Sequence, residues 1–153
     1  MGSLITRLNR FKVDYIDPPI MTTREVKEEH WITSQLMRAG FTGDKIRRLH
    51  LDSKYWVCSK KEFEDWISWD WTNKKQYVSE EYDCDNFAFS FKARCDRKIG
   101  INAVGLVIDY SGGHAYNLVI FSDAAPELFE PQGDRWVEGG KGMYKMVDGY
   151  IIL

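Results

Sequence analysis

Residues 102–121 read NAVGLVIDYSGGHAYNLVIF. Two apolar runs rich in β-branched and aromatic residues flank a Ser-Gly-Gly break, the pattern of two strands joined by a tight turn. Further runs continue the texture: ELFEP at 127–131 and MYKMVDGYIIL at 143–153, separated by SDAAP and QGD turns. The C-terminal half therefore predicts an antiparallel sheet.

Upstream the periodicity changes. Thr22 and Glu25 have capping-box spacing and predict a helix running to about Ala39, with Ile32, Leu36 and Ala39 on one face and Gly40 as its stop. Ser59 and Glu62 repeat the spacing and predict a helix over about 60–71. Residues 41–58 look irregular, with an extended piece at KYWVC. In EEYDCDNFAFSFKARC (80–95), Cys84, Phe87, Ala88, Phe91 and Cys95 fall on one helical face, and Gly100 ends the helix. Helices first and an antiparallel sheet second is an α+β arrangement. The chain of 153 residues suits one domain.

Cys84 stands at the start of that third helix between Asp83 and Asp85. A helix N-terminus favours a thiolate, whereas two flanking carboxylates oppose it and make better sense as caps. Of His30, His50 and His114, only His114 has a telling context, at the head of a strand after two glycines. If 114–121 and 127–133 form a hairpin, position 114 pairs with roughly 130–134. Glu130, Gln132 and Asp134 then share its face, and each lies in reach of the imidazole. A thiol, an imidazole and an orienting carboxylate or amide are the parts of nucleophilic catalysis.

The order of YVSEEYDCDNFAFSFKA, GGHAYNLVIF and LFEPQGD resembles the papain-like cysteine peptidase fold. Within it, the chain is similar to the C-terminal peptidase domain of the Marasmius oreades agglutinin group and to stand-alone bacterial or phage proteins sharing that domain. The resemblance covers about residues 54–153 and leaves 1–53 as an N-terminal helical extension. It implies Cys84 as nucleophile, His114 as general base and Glu130 as orienting carboxylate in hydrolysis of peptide or isopeptide bonds. Gln76, eight residues before the cysteine, stands in for an oxyanion-stabilising glutamine. Members of the group can depend on calcium, for which Asp83 and Asp85 are the nearby carboxylates. No other cofactor is expected, and Asp85-Asn86 departs from the two acidic residues the group often shows.

Rival readings are a cell-wall amidase or endopeptidase of the CHAP type, acyl transfer instead of hydrolysis, and a non-catalytic binding or inhibitory module on the same fold. Three cysteines with no close Cys or His spacing predict neither a disulfide framework nor a zinc site. The formal net charge of −2 and the scattered basic residues give no nucleic-acid surface. No apolar run approaches a membrane span, and MGSLITRLNRFKVD lacks the apolar core of a signal peptide. A cytoplasmic location and a peptide or protein substrate follow as expectations. Gly2 and Thr6 loosely fit a myristoylation pattern, which a cloning remnant or chance explains more simply.

Overall fold

The computed structural model describes residues 17–153, so the Gly2–Thr6 pattern lies outside the described residues. Strand β1 (Glu25–Glu28) runs directly into helix α1 (Glu29–Arg38). Strands β2 (Ile46–Leu49) and β3 (Lys54–Val57) follow, then helices α2 (Lys60–Trp69) and α3 (Cys84–Arg94). The remaining strands are β4 (Val104–Asp109), β5 (His114–Val119), β6 (Glu127–Glu130), β7 (Arg135–Val137) and β8 (Gly149–Ile152). β1 and β3 form a two-stranded sheet, and the other six strands form one sheet in the order β2-β8-β4-β5-β6-β7.

This corrects the expected arrangement of N-terminal helices followed by an antiparallel sheet. Strands are interleaved with helices from the start, and the main sheet is mixed, because β2 pairs parallel with β8. Residues 46–49, expected to be irregular, are built into that sheet. The physical reason lies in long-range pairing: the short, polar segment Glu25–Glu28 finds its strand partner in Lys54–Val57, whose Trp56 backbone is also bonded by the Ala103 N–H and the Asn102 side chain.

The first helix also starts later than the Thr22–Glu25 spacing predicts. Thr22 and Thr23 do not cap it. Their hydroxyl and backbone groups donate to the carboxylate of Glu62 on α2, and Arg24 stacks over Trp56 at 3.7 Å. Ser59 caps α2 as its spacing predicts, accepting from the Glu62 N–H. The Glu62 side chain turns away to the threonines, and the Thr23 hydroxyl accepts from the Ser59 N–H instead.

The helical face predicted around Cys84 is the packed one. Phe87, Ala88, Phe91 and Cys95 are buried and Cys84 is half-buried. α3 continues through a π turn, Cys95–Ile99, and ends at Gly100, whose φ of 65° is the left-handed conformation that a side chain disfavours. Asn117, fully buried on β5, pins the helix to the sheet: its amide donates to the carbonyls of Ala88 at 3.0 Å and Gly105 at 3.2 Å. Phe63, Phe91, Phe121, Phe129 and Trp136 pack edge-on or tilted on the same side. Tyr116, Leu118 and Leu128 face the other cluster with Ile32, Leu36 and Tyr55.

The turn between β4 and β5 is organised by Asp109, 1 % exposed. Its carboxylate accepts from the Ser111 hydroxyl, the Gly112 N–H, the Tyr116 hydroxyl and the Met146 N–H. Burial alone pushes this carboxyl up, but the four donors outweigh burial and hold it below its ordinary value. Gly112 is required by close approach, since a Cβ there would lie 2.1 Å from the Met143 carbonyl oxygen.

Two outcomes follow. Asn117→Ala removes the tether between α3 and the sheet at Ala88 together with the bond to Gly105 on β4, and lowers unfolding free energy by about 2–3 kcal/mol, measured by urea denaturation. Asp109→Asn gives a stability deficit against the parent that depends on pH. A carboxyl held low stabilises the fold above its unfolded value of 3.8, and that stabilisation is lost as pH falls through the folded value. The gap between the two melting curves is therefore full near neutrality and closes in acid.

Candidate functional site

β5 places His114 at its first position, after Gly113 in the left-handed region (φ 64°). β6 runs antiparallel beside it in the register Asn117↔Phe129, Leu118↔Leu128 and Val119↔Glu127. This register carries Glu130 to the imidazole: His114 Nε2 and Glu130 Oε2 lie 2.7 Å apart, with the two side chains 9 % and 4 % exposed. Of the three residues that the spacing left open, Glu130 is the one in contact. Gln132 contributes its backbone N–H to Glu130 Oε1 at 3.0 Å. Asp134 sits in the turn with φ 46°, and burial and the nearby Asp70 push its carboxyl up to about 6.

Glu130 also accepts from the Tyr144 hydroxyl at 2.8 Å, on the same oxygen that meets His114. Burial raises this carboxyl, but the bonds from His114, Gln132 and Tyr144 prevail and hold it below its ordinary value. An ionised carboxylate only accepts hydrogen bonds, so Nε2 carries a ring proton, and in the neutral form of the ring Nδ1 is an acceptor. Nδ1 makes no hydrogen bond among the described residues. Tyr144 also packs edge-on to His114, with ring centroids 5.6 Å apart, and Arg135 donates to the Tyr144 oxygen at 3.4 Å. No feature of the sequence singled out Tyr144. It stands 14 residues beyond Glu130 on an irregular loop, and only the tertiary fold brings it in.

Cys84 lies at the first turn of α3, where its thiol packs against the cluster of Ala88, Leu106 and Ala115. The α3 side of β5 is the side of Ala115 and Asn117, while the His114 ring contacts Glu130, Tyr116 and Tyr144. No hydrogen bond joins the Cys84 sulfur to the imidazole among the described residues. Asp83 N–H donates to the Asn86 side chain at 3.1 Å, which closes the first turn. The carboxyls of Asp83 and Asp85, the pair named above for calcium, titrate against each other: the neighbouring Asp85 lowers Asp83, whereas Asp83 and burial raise Asp85. Among the described residues no group of three or more His, Cys, Asp or Glu side chains converges to hold a metal. Gln76 is exposed, His30 is exposed on α1, and His50 meets the Thr33 hydroxyl at 3.3 Å. No described helix is long and apolar enough to cross a membrane.

The chain matches the family of the ricin-type β-trefoil lectin C-terminal domain over residues 22–151, and it belongs to that family. No curated protein sequence matches it. Among solved structures it is similar to a PSL1a-E64 complex, with 18% identity, a TM-score of 0.65, and coverage of 84% of this chain and 51% of that one. It is also similar to the Polyporus squamosus lectin bound to the human-type influenza-binding epitope Neu5Acα2-6Galβ1-4GlcNAc, with 18% identity, a TM-score of 0.57, and coverage of 73% and 45%. The chain thus spans about half the length of each.

These findings correct four expectations. The family is that of the lectin C-terminal domain in place of the papain-like peptidase group and its bacterial or phage members. The fold is the sheet-centred one shared with the lectin structures, in place of a papain-like α+β fold. The peptide or isopeptide hydrolase, with its thiol-protease and catalytic-triad labels, gives way with the family that implied it. So do the peptide substrate and the rival hydrolase of the CHAP type.

The three thiols differ in environment, which predicts their labelling. Burial, then Glu62 and Asp123, push Cys58 up to about 12, and burial and Asp70 push Cys95 far up. Mass spectrometry after brief iodoacetamide treatment of the native chain at pH 8 finds label on Cys84. Cys58 and Cys95 are modified only after denaturation.

Proposed function

We propose that this chain is a carbohydrate-directed binding domain, the C-terminal part of a lectin-type protein, whose ligand contacts centre on His114, held from behind by Glu130. The observation that supports it is the family match across residues 22–151, and the similar Polyporus squamosus lectin was solved with a sialylated trisaccharide. The chemistry of the site suits such a ligand. Sugar hydroxyls both donate and accept, and His114 Nδ1 offers an acceptor whose orientation is held from behind by Glu130. A carboxylate with three donors around it keeps the ring in one tautomer, so the ring is ordered before the ligand arrives. That preorganisation lowers the entropic cost of binding.

Isothermal titration with Neu5Acα2-6Galβ1-4GlcNAc and with Galβ1-4GlcNAc tests the reading. The parent chain binds at least one of them, and amide chemical shifts move around residues 114, 130 and 144. His114→Ala and Glu130→Gln each weaken binding by about tenfold or more, equivalent to about 1.4 kcal/mol. A parent chain that binds neither sugar at millimolar concentration sinks the proposal.

A further inference from the structure

The loop between β7 and β8 is rich in glycine, EGGKGMYKM over residues 138–146, and much of it is exposed. Its shape is nonetheless defined. Gly140 and Gly142 take φ values of 83° and 54°, and Met146 takes 50°. Within it, the Gly140 N–H donates to the Tyr144 carbonyl at 2.8 Å and the Tyr144 N–H to the Lys141 carbonyl at 2.9 Å. The loop is tied down at its far end. Met146 N–H donates to Asp109 at 2.8 Å, and Val147 and Asp148 donate to the Ser111 hydroxyl at 3.0 and 3.3 Å. The Met143 carbonyl lies so close over Gly112 that no side chain fits between them. The turn that precedes His114 and the loop that carries Tyr144 are thus fastened to the same carboxylate.

Tyr144 reaches from this loop to Glu130 Oε2, the oxygen that meets His114. Its ring lies against both His114 and Tyr116. The groups facing Glu130 are therefore His114 from β5, Tyr144 with Arg135 behind it, and the Gln132 N–H of its own turn. Of the two side chains that hydrogen-bond to Glu130, His114 comes from β5 and Tyr144 from the loop.

We infer that Tyr144 is the positioning residue of the His114–Glu130 couple, and that the seating of loop 138–147 on Asp109 and Gly112 sets the hydrogen-bonding state of the site. The inference rests on the reading of His114 and Glu130 as the site and adds a means of regulating it. With the loop seated, one carboxylate oxygen is shared between a phenol and an imidazole. With the loop lifted, the imidazole has that oxygen to itself and loses the edge-on Tyr144 ring. A ligand or partner that displaces the loop changes the site without touching either residue.

The test is a 13C NMR titration of the Glu130 carboxyl in the folded chain. Tyr144→Phe keeps the ring and deletes the charge-assisted hydrogen bond from the phenol to the carboxylate, which raises the Glu130 midpoint by roughly one pH unit or more. Gly112→Ala puts a methyl group against the Met143 carbonyl, lifts the loop and moves the midpoint in the same direction. A purely structural tyrosine would lower the melting temperature and leave the Glu130 titration where it was, and that result overturns the inference. An unmoved titration in Gly112→Ala, beside a shifted one in Tyr144→Phe, overturns the role of the loop. The two readings fail separately: a parent chain that binds no saccharide but shows the Tyr144→Phe shift retains the inference and loses the proposed function, and the reverse pattern does the opposite.

Discussion

A single buried carboxylate, Asp109, holds together the parts that matter. It closes β4, caps the Ser111–Gly113 turn, fixes the Tyr116 hydroxyl and anchors the loop at Met146. An ionised group with so little exposure is costly unless every lone pair finds a donor, and here four donors from three segments supply that. Without the Ser111 and Gly112 bonds, His114 would begin β5 from an unrestrained turn. Without the Met146 bond, Tyr144 would have no defined approach to Glu130. The geometry of the site is thus set one layer beneath it, by a residue that faces no ligand. Such supporting shells commonly decide how well a functional constellation is preorganised.

The sheet is joined to α3 by a second device, the Asn117 amide. Its bond to Ala88 spans the gap between helix and strand, its bond to Gly105 ties it to the neighbouring strand β4, and an apolar side chain would leave the carbonyl at the helix surface without this donor. Most residues of the GGHAYN stretch have such a task. Gly112 admits the Met143 carbonyl, Gly113 supplies the left-handed turn, Tyr116 serves Asp109 and Asn117 pins the helix. Most of the motif is accounted for by packing. The order of motifs suggests a peptidase, yet residues held by turn and helix-docking geometry mark an architecture more firmly than a chemistry. The family that matches is the lectin C-terminal domain.

Legibility in the sequence followed the range of the interactions. β4, β5, β6 and β8 were readable because apolar runs and turn residues are local signals, and the α3 face was readable because its period repeats within the helix. The Ser59 cap was readable for the same reason. The start of α1 was not: Thr22 and Glu25 have the spacing of a cap, but the threonine hydroxyls meet Glu62, 40 and 39 residues away. β1 and β2 carry polar residues at most positions and become strands only through distant partners. At the site, the hairpin register narrowed the partner of His114 to three positions, and Glu130 was among them. Its selection depends on the chain turning after Pro131, so that Gln132 offers a backbone N–H and Asp134 points elsewhere. Tyr144 needed the whole fold.

The insertion of β8 between β2 and β4 has a kinetic side. Ile46 and Gly149 pair although 149 − 46 = 103 residues separate them. β4 can zip with β5 early, since their turn is short, but its other edge stays open until β8 arrives, and β2 has no place in the main sheet before then. Closure of so long a stretch must precede any reward from the contacts it makes, which slows assembly. During that interval Val107 and its neighbours present an unpaired apolar edge, the kind of surface on which nascent chains associate. A fold that looks settled at equilibrium therefore carries its greatest exposure to misassembly in the step that completes its centre.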